Sequence, residues 1–147
     1  MVQKLRERSQ SESGFTLVEL LVVMLILGLL AAIAVPSFFN QREKAKDADA
    51  KAAVRTAQTA IETYATDNGG EYTGAAAGDL QTIETTLNDA NISAVTVPDE
   101  NEYTVSVTSE GSAANVFSIT RNDDGTVDLT CTTAGTDGCP TGGTWGD

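Results

Sequence analysis

Residues 14–36 read GFTLVELLVVMLILGLLAAIAVP, and the rest of the chain is organised around this stretch. From Leu20 to Val35 sixteen residues pass without a charged or strongly polar side chain, and counted from Phe15 the apolar segment reaches 21. A helix of that length crosses the hydrocarbon of a bilayer. Eleven Leu, Ile and Val residues in the run favour insertion by about 3 to 7 kcal/mol, against at most about 3 for the single acid, Glu19. Insertion therefore wins. An acid inside such a run is costly and ordinarily finds a partner. Were the chain cut between Gly14 and Phe15, a new α-amino group would lie four residues before Glu19. A neighbouring copy shifted by about a turn would then present its amine to the carboxylate. The other reading leaves Glu19 solvated at the membrane surface, without a role.

At Gly14, at Phe15-Thr16-Leu17-Val18-Glu19-Leu20-Leu21 and at Pro36 closing the apolar run, the sequence resembles the type IV pilin and pseudopilin family. The resemblance implies that a leader, residues 1–14, is removed after Gly14 by a dedicated prepilin peptidase. The same enzyme would methylate the new N-terminal residue, Phe15. Glu19 occupies the place of the family's glutamate for subunit registration, so Glu19 and Pro36 are the expected assembly residues. The motif covers about 25 residues, a sixth of the chain. It further implies a filament of identical subunits, drawn from the lipid bilayer by a membrane platform and an ATPase. Such filaments serve adhesion, twitching, DNA uptake or secretion. The expected function is thus a major-type pilin of a type IV pilus, with a pseudopilin of a type II secretion or competence system as the alternative.

Charge narrows the possibilities further. The chain has 147 residues, 41% of them hydrophobic and 5% aromatic, and a formal charge of −12. Its size fits one modest domain beside the apolar segment. Beyond Thr56 the only base is Arg121, while fifteen Asp and Glu follow from Glu62 onward. So acidic a head repels phosphate backbones, and no nucleic-acid site is expected on a lone subunit. There is no histidine, which removes histidine triads, histidine general bases and His-ligated zinc. No enzyme activity and no cofactor or metal is expected.

Residues 1–14, MVQKLRERSQSESG, carry Lys4, Arg6 and Arg8 against Glu7 and Glu12, as a targeting leader does. Ala32-Ile33-Ala34 offers an ordinary signal peptidase a small-x-small pattern. Cleavage there would release an exported soluble binding protein. Against it stand Glu19 inside the apolar core, the length of that core, and Phe38 and Phe39 left on the product. Basic residues flank the span on both sides, so they do not orient it. The resemblance places the leader in the cytoplasm and the head outside, with a single-pass membrane form before assembly and an extracellular filament after it.

The expected organisation is a leader over 1–14, a transmembrane and filament-core helix over 15–36, its amphipathic half over 37–68 and an acidic head over 69–147. Pro36 and Gly28 are weak points in the first half. In the second, Val54, Ala57, Ile61 and Tyr64 recur at helical spacing, with Ala45, Ala48 and Ala52 extending a small-residue face toward the membrane. Glu43 with Lys46 or Asp47, and Asp47 with Lys51, sit at helical spacing, so Arg42 to Arg55 reads as a solvated helix surface with weak ion pairs. The helix should stop near Asn68-Gly69-Gly70. Glu71 to Pro98 reads as connection, with one short helix capped by Asp79 and running through Leu80, Ile83 and Leu87.

Three strands are expected around Tyr103, Val105 and Val107, around Phe117 and Ile119, and around Val127, Leu129 and Cys131. Asn122-Asp123-Asp124-Gly125 forms the hairpin turn between the last two. The alternative for Asp123, Asp124 and Asp128 is calcium, though they lack EF-hand spacing. The sheet's single apolar face needs the amphipathic helix as its cover, giving an α+β fold. Cys131 and Cys139 are the only cysteines. Too few for zinc and wrongly spaced for a redox pair, they point to a disulfide closing a C-terminal loop outside the cytoplasm.

Overall fold

A computed structural model describes residues 14–146, so the expected leader lies outside the described residues except for Gly14. Helix α1 runs from Leu17 to Asp67, 51 residues, continuing through Pro36. It ends where the sequence supplies glycines. Gly69 and Gly70 take φ of 75° and 97°, and the Gly70 amide turns back to the Ala65 carbonyl at 2.7 Å. Closures of this kind satisfy carbonyls that a terminating helix leaves orphaned.

The chain divides into two compact units after Phe38. In the first, α1 is long and apolar enough to cross a membrane, and large side chains such as Leu17, Leu25 and Ile33 are exposed.

The second unit, from Phe39 onward, is a helix laid on a four-stranded antiparallel sheet. After α1 come α2, Ala77–Ile83, a 3₁₀ turn, Thr85–Asp89, and strands β1, Ile92–Asp99, β2, Glu102–Thr108, β3, Val116–Arg121, and β4, Val127–Cys131. The strands lie side by side in chain order. On the covered face Val105 pairs with Ile119 and Val107 with Phe117, and these join Tyr103 and the helix residues Val54, Ala57 and Ile61 in one buried cluster. The opposite face carries hydroxyl pairs, Thr104 with Thr120 at 2.9 Å and Ser106 with Ser118 at 2.8 Å. Cross-strand pairs of this type add modestly to a sheet. The α+β architecture expected from the two apolar faces is the one observed.

Three expectations need correction. The head has four strands, because β1 lies in the stretch read as connection. Its register slips between Ile92 and Ala94 and again between Thr96 and Asp99, so Ile92, Val95 and Val97 do not alternate cleanly. The short helix starts after Ala76, with Asp79 as its third residue; the Asp79 carboxylate accepts from the Ala76 amide at 3.0 Å. Leu87 belongs to the separate 3₁₀ turn. Finally, Ala45, Ala48 and Ala52 are exposed, and the buried face of α1 near its middle is Asp47, Ala50 and Val54.

Cys131 and Cys139 form a disulfide. The chain then doubles back along β4: the Cys131 amide donates to the Gly143 carbonyl at 2.8 Å and the Trp145 amide to the Leu129 carbonyl at 3.1 Å. This tail covers a sheet edge that would otherwise template pairing with other chains.

Candidate functional site

The N-terminal end of α1 is built by four residues. Phe15 is 83% exposed, and a methyl group placed on Gly14 would meet nothing within 4 Å. Glu19 and Thr16 close a capping box. The Thr16 amide and hydroxyl both donate to Glu19 Oε2 at 2.8 Å, and the Glu19 amide donates to Thr16 Oγ1 at 3.2 Å. The pattern T-x-x-E ahead of an apolar run is itself a helix-start signal, one the sequence reading passed over. Both bonds fall on Oε2, which leaves Oε1 of the carboxylate without a partner among the described residues. Gly28 and Pro36 lie farther along the same helix, and a methyl on Gly28 would likewise meet nothing within 4 Å.

A second constellation lies on the charged stripe of α1. Glu43, Asp47, Lys51 and Arg55 stand four residues apart, hence on one side of the helix, and each touches the head. Glu43 accepts from the Ser112 amide and pairs with Lys46 at 3.2 Å. These two contacts, the Ser112 amide first, hold its carboxyl below the usual range. Asp47, 1% exposed, accepts from Asn115 Nδ2 at 2.8 Å and from the Gly138 amide at 2.9 Å. Lys51 Nζ donates to the Gly138 carbonyl at 2.6 Å and lies 5.2 Å from the Phe117 ring centre. Arg55 stacks on Trp145 at 5.1 Å. The stripe read from sequence as solvated therefore fastens the C-terminal loop and tail to α1. The expected Glu43–Lys46 pair forms, whereas Asp47 and Lys51 turn to the loop.

Farther along α1, Glu62 accepts from the Tyr72 hydroxyl at 2.7 Å and the Tyr103 hydroxyl at 2.8 Å. Arg121 approaches it at 3.9 Å, covers the Tyr72 ring at 5.5 Å and donates to the Asn101 carbonyl at 2.8 Å. Burial first, and then donation to the Glu62 carboxylate, push the Tyr72 hydroxyl up to about 12 and raise that of Tyr103 as well. A raised acid favours the folded state below its unfolded value, and that contribution fades as pH climbs through the folded one. Alkaline unfolding followed by Trp145 fluorescence should therefore show stability falling between about pH 10 and 12. Tyr72→Phe should lose part of that pH dependence; an unchanged alkaline limb would refute the assignment.

The Asn122–Asp128 segment has the geometry of a turn. Gly125 takes φ of 82°, Asp124 accepts from the Thr126 amide and hydroxyl at 2.8 and 2.6 Å, and Asp128 accepts from Asn122 Nδ2 at 3.0 Å. The Thr126 hydroxyl, with the backbone amide behind it, holds the Asp124 carboxyl low. Among the described residues no three His, Cys, Asp or Glu side chains converge on a metal-sized site.

Residues 9–35 match a family model described as the prokaryotic N-terminal methylation motif. The type II secretion system core protein G of Pseudomonas aeruginosa is 41% identical over 59 residues, 40% of this chain and 42% of that protein. A fimbrial protein of the same species is 28% identical over 127 residues, 84% of this chain and 69% of the relative. The type IV major pilin protein PilA of Myxococcus xanthus is 41% identical over 51 residues, 35% of this chain and 23% of its own length. The chain thus spans less than half the length of the secretion relatives it matches. No solved structure gives a significant match.

Proposed function

We propose that this chain, a member of the type IV pilin and pseudopilin family, is a major-type pilin, the repeating subunit of a type IV pilus. One observation carries the choice of pilus over secretion pseudopilus. Similarity to the fimbrial protein covers 84% of the chain and so reaches into the head, while similarity to the secretion proteins covers about 40%. The higher identity of that shorter match keeps the pseudopilin as the second reading.

The mechanism is physical rather than chemical. The apolar half of α1 waits in lipid, held by several kcal/mol of transfer free energy. A prepilin peptidase cuts the bond after Gly14 and methylates Phe15. The freed α-amine of one copy then meets the Glu19 carboxylate of the next, and Oε1, unused by the capping box, supports that role. Moving from lipid into a bundle of like helices leaves apolar burial nearly unchanged, so packing and this charge match select the register. A contact between unlike surfaces need not close, and it propagates as a helical filament. An ATPase and membrane platform would supply the work of extraction, with the head outside the cytoplasm throughout.

Intact mass of the native protein should give a chain beginning at methylated Phe15. A chain that keeps the leader, or begins at Val35, would overturn the processing. Filaments sheared from cells should contain this protein as their bulk component; recovery only from the envelope, in amounts tied to secretion, would favour the pseudopilin reading.

A further inference from the structure

A groove in the head, lying between α1, the 3₁₀ turn and the end of β2, encloses about 280 Å³. Its floor is apolar and small, from Ala50, Ala53 and Val107, and its rim carries Asp49, Asp89 and Glu110. These three acids are exposed and have no cationic partner among the described residues. Lys46 lies at the rim but is taken by Glu43 at 3.2 Å. Arg121, the only base beyond Arg55, is held by Glu62, Tyr72 and Asn101.

The complementary charge sits on the far side of the same helix. Lys44 is exposed and pairs with nothing among the described residues. It precedes Ala53 by nine positions, about two and a half turns of helix, and so projects away from the groove floor. A long aliphatic stem ending in an ammonium suits an apolar floor with an acidic rim. Because groove and lysine face opposite ways, one copy cannot exchange both contacts with the same partner. Each must give its lysine to one neighbour and take one from another, an arrangement that permits a chain that does not close. The axial step between giver and receiver would be on the order of 10 Å.

We propose that the groove rimmed by Asp49, Asp89 and Glu110 receives Lys44 of the adjacent copy. The contact rests on the filament reading and adds an interface in the head. Lys44→Glu, made in cells with the rest of the machinery intact, should lower the yield of sheared filaments about tenfold while the membrane pool stays unchanged, since like charges now face each other. Glu110→Lys should do the same, and the double variant should recover at least half of the wild-type yield. With Lys44→Cys and Glu110→Cys together, mild oxidation of filaments should give a ladder extending beyond dimers, absent from either single variant. Normal filaments from Lys44→Glu with no ladder would overturn this contact and leave the pilus reading standing. A ladder that stops at dimers would overturn the non-closing geometry. If Lys44→Glu instead depletes the membrane pool and lowers binding to vesicles containing anionic lipid, without rescue by Glu110→Lys, the lysine's partner is a lipid headgroup and the proposal fails. Failure of wild-type cells to yield any filament of this protein would count against the proposed function itself.

Discussion

Glu19→Ala is expected to insert into the membrane at wild-type levels and to yield no filaments. Losing the carboxylate removes an insertion cost of up to about 3 kcal/mol, so the membrane pool should not fall. What it removes locally is the capping box with Thr16, a feature of about 1 kcal/mol and too small to unravel a 51-residue helix. In the proposed assembly the consequence is larger. The α-amine freed at Phe15 would enter an apolar bundle with no counter-charge, and breaking a buried pair by removing one partner costs about 3 to 5 kcal/mol. Repeated at every subunit, that penalty stops growth. Glu19→Gln separates the two roles, since glutamine can serve the capping box but brings no charge. The charge account expects Gln to fail as Ala does, scored as the ratio of sheared to membrane-bound protein. Filaments from Gln but not Ala would assign Glu19 to helix capping, and normal yield from both would remove it from assembly.

The features legible in the sequence were those written in one uninterrupted period. The apolar run, the helix stop at Asn68-Gly69-Gly70, the two-residue alternation of β2 and β3 and the Asn122–Gly125 turn each depend on neighbours along the chain, and each lies where run length, alternation or glycine chemistry puts it. β1 was hidden because its two register shifts and Pro98 break the alternation. Asp79 did announce a helix, but from inside its first turn. Burial of the charged stripe was illegible for another reason. Nothing near Asp47 in sequence says that Asn115 and Gly138, 68 and 91 residues away, will surround it, and a charge on a helix surface is ordinarily solvated. At the N-terminal end of the chain Gly14, Phe15 and Glu19 stand out by motif alone. The Thr16 contact is local and written in the sequence as T-x-x-E ahead of an apolar run, although Glu19 read as an acid in lipid points outward, to a cation.

Asp47 is where substitution should cost the head most. Its carboxylate is 1% exposed and Asn115 fully buried, so Asp47→Ala leaves the amide of Gly138 and a hydrogen of Asn115 Nδ2 without their acceptor, at about 1 to 3 kcal/mol each. Part of this is offset, because a buried carboxylate that no longer exists no longer has to be desolvated, and Asn115 keeps a longer bond of 3.3 Å to the Thr136 carbonyl. The net loss should be about 3 kcal/mol, a sizeable share of the 5 to 15 kcal/mol typical of a domain. For a unit of this size that lowers Tm by about 10 to 15 °C, measurable on the full chain in detergent by Trp145 fluorescence. Asp47→Asn should lose about half as much, since its single amide oxygen can still accept. The disulfide survives both changes, so the loop stays closed while its tie to α1 is cut, and Trp145, buried beside Arg55, should become accessible to quencher below the melting transition. A Tm within 2 °C of wild type for Asp47→Ala, or unchanged quenching, would show that the loop is held by Lys51, Arg55 and the tail alone.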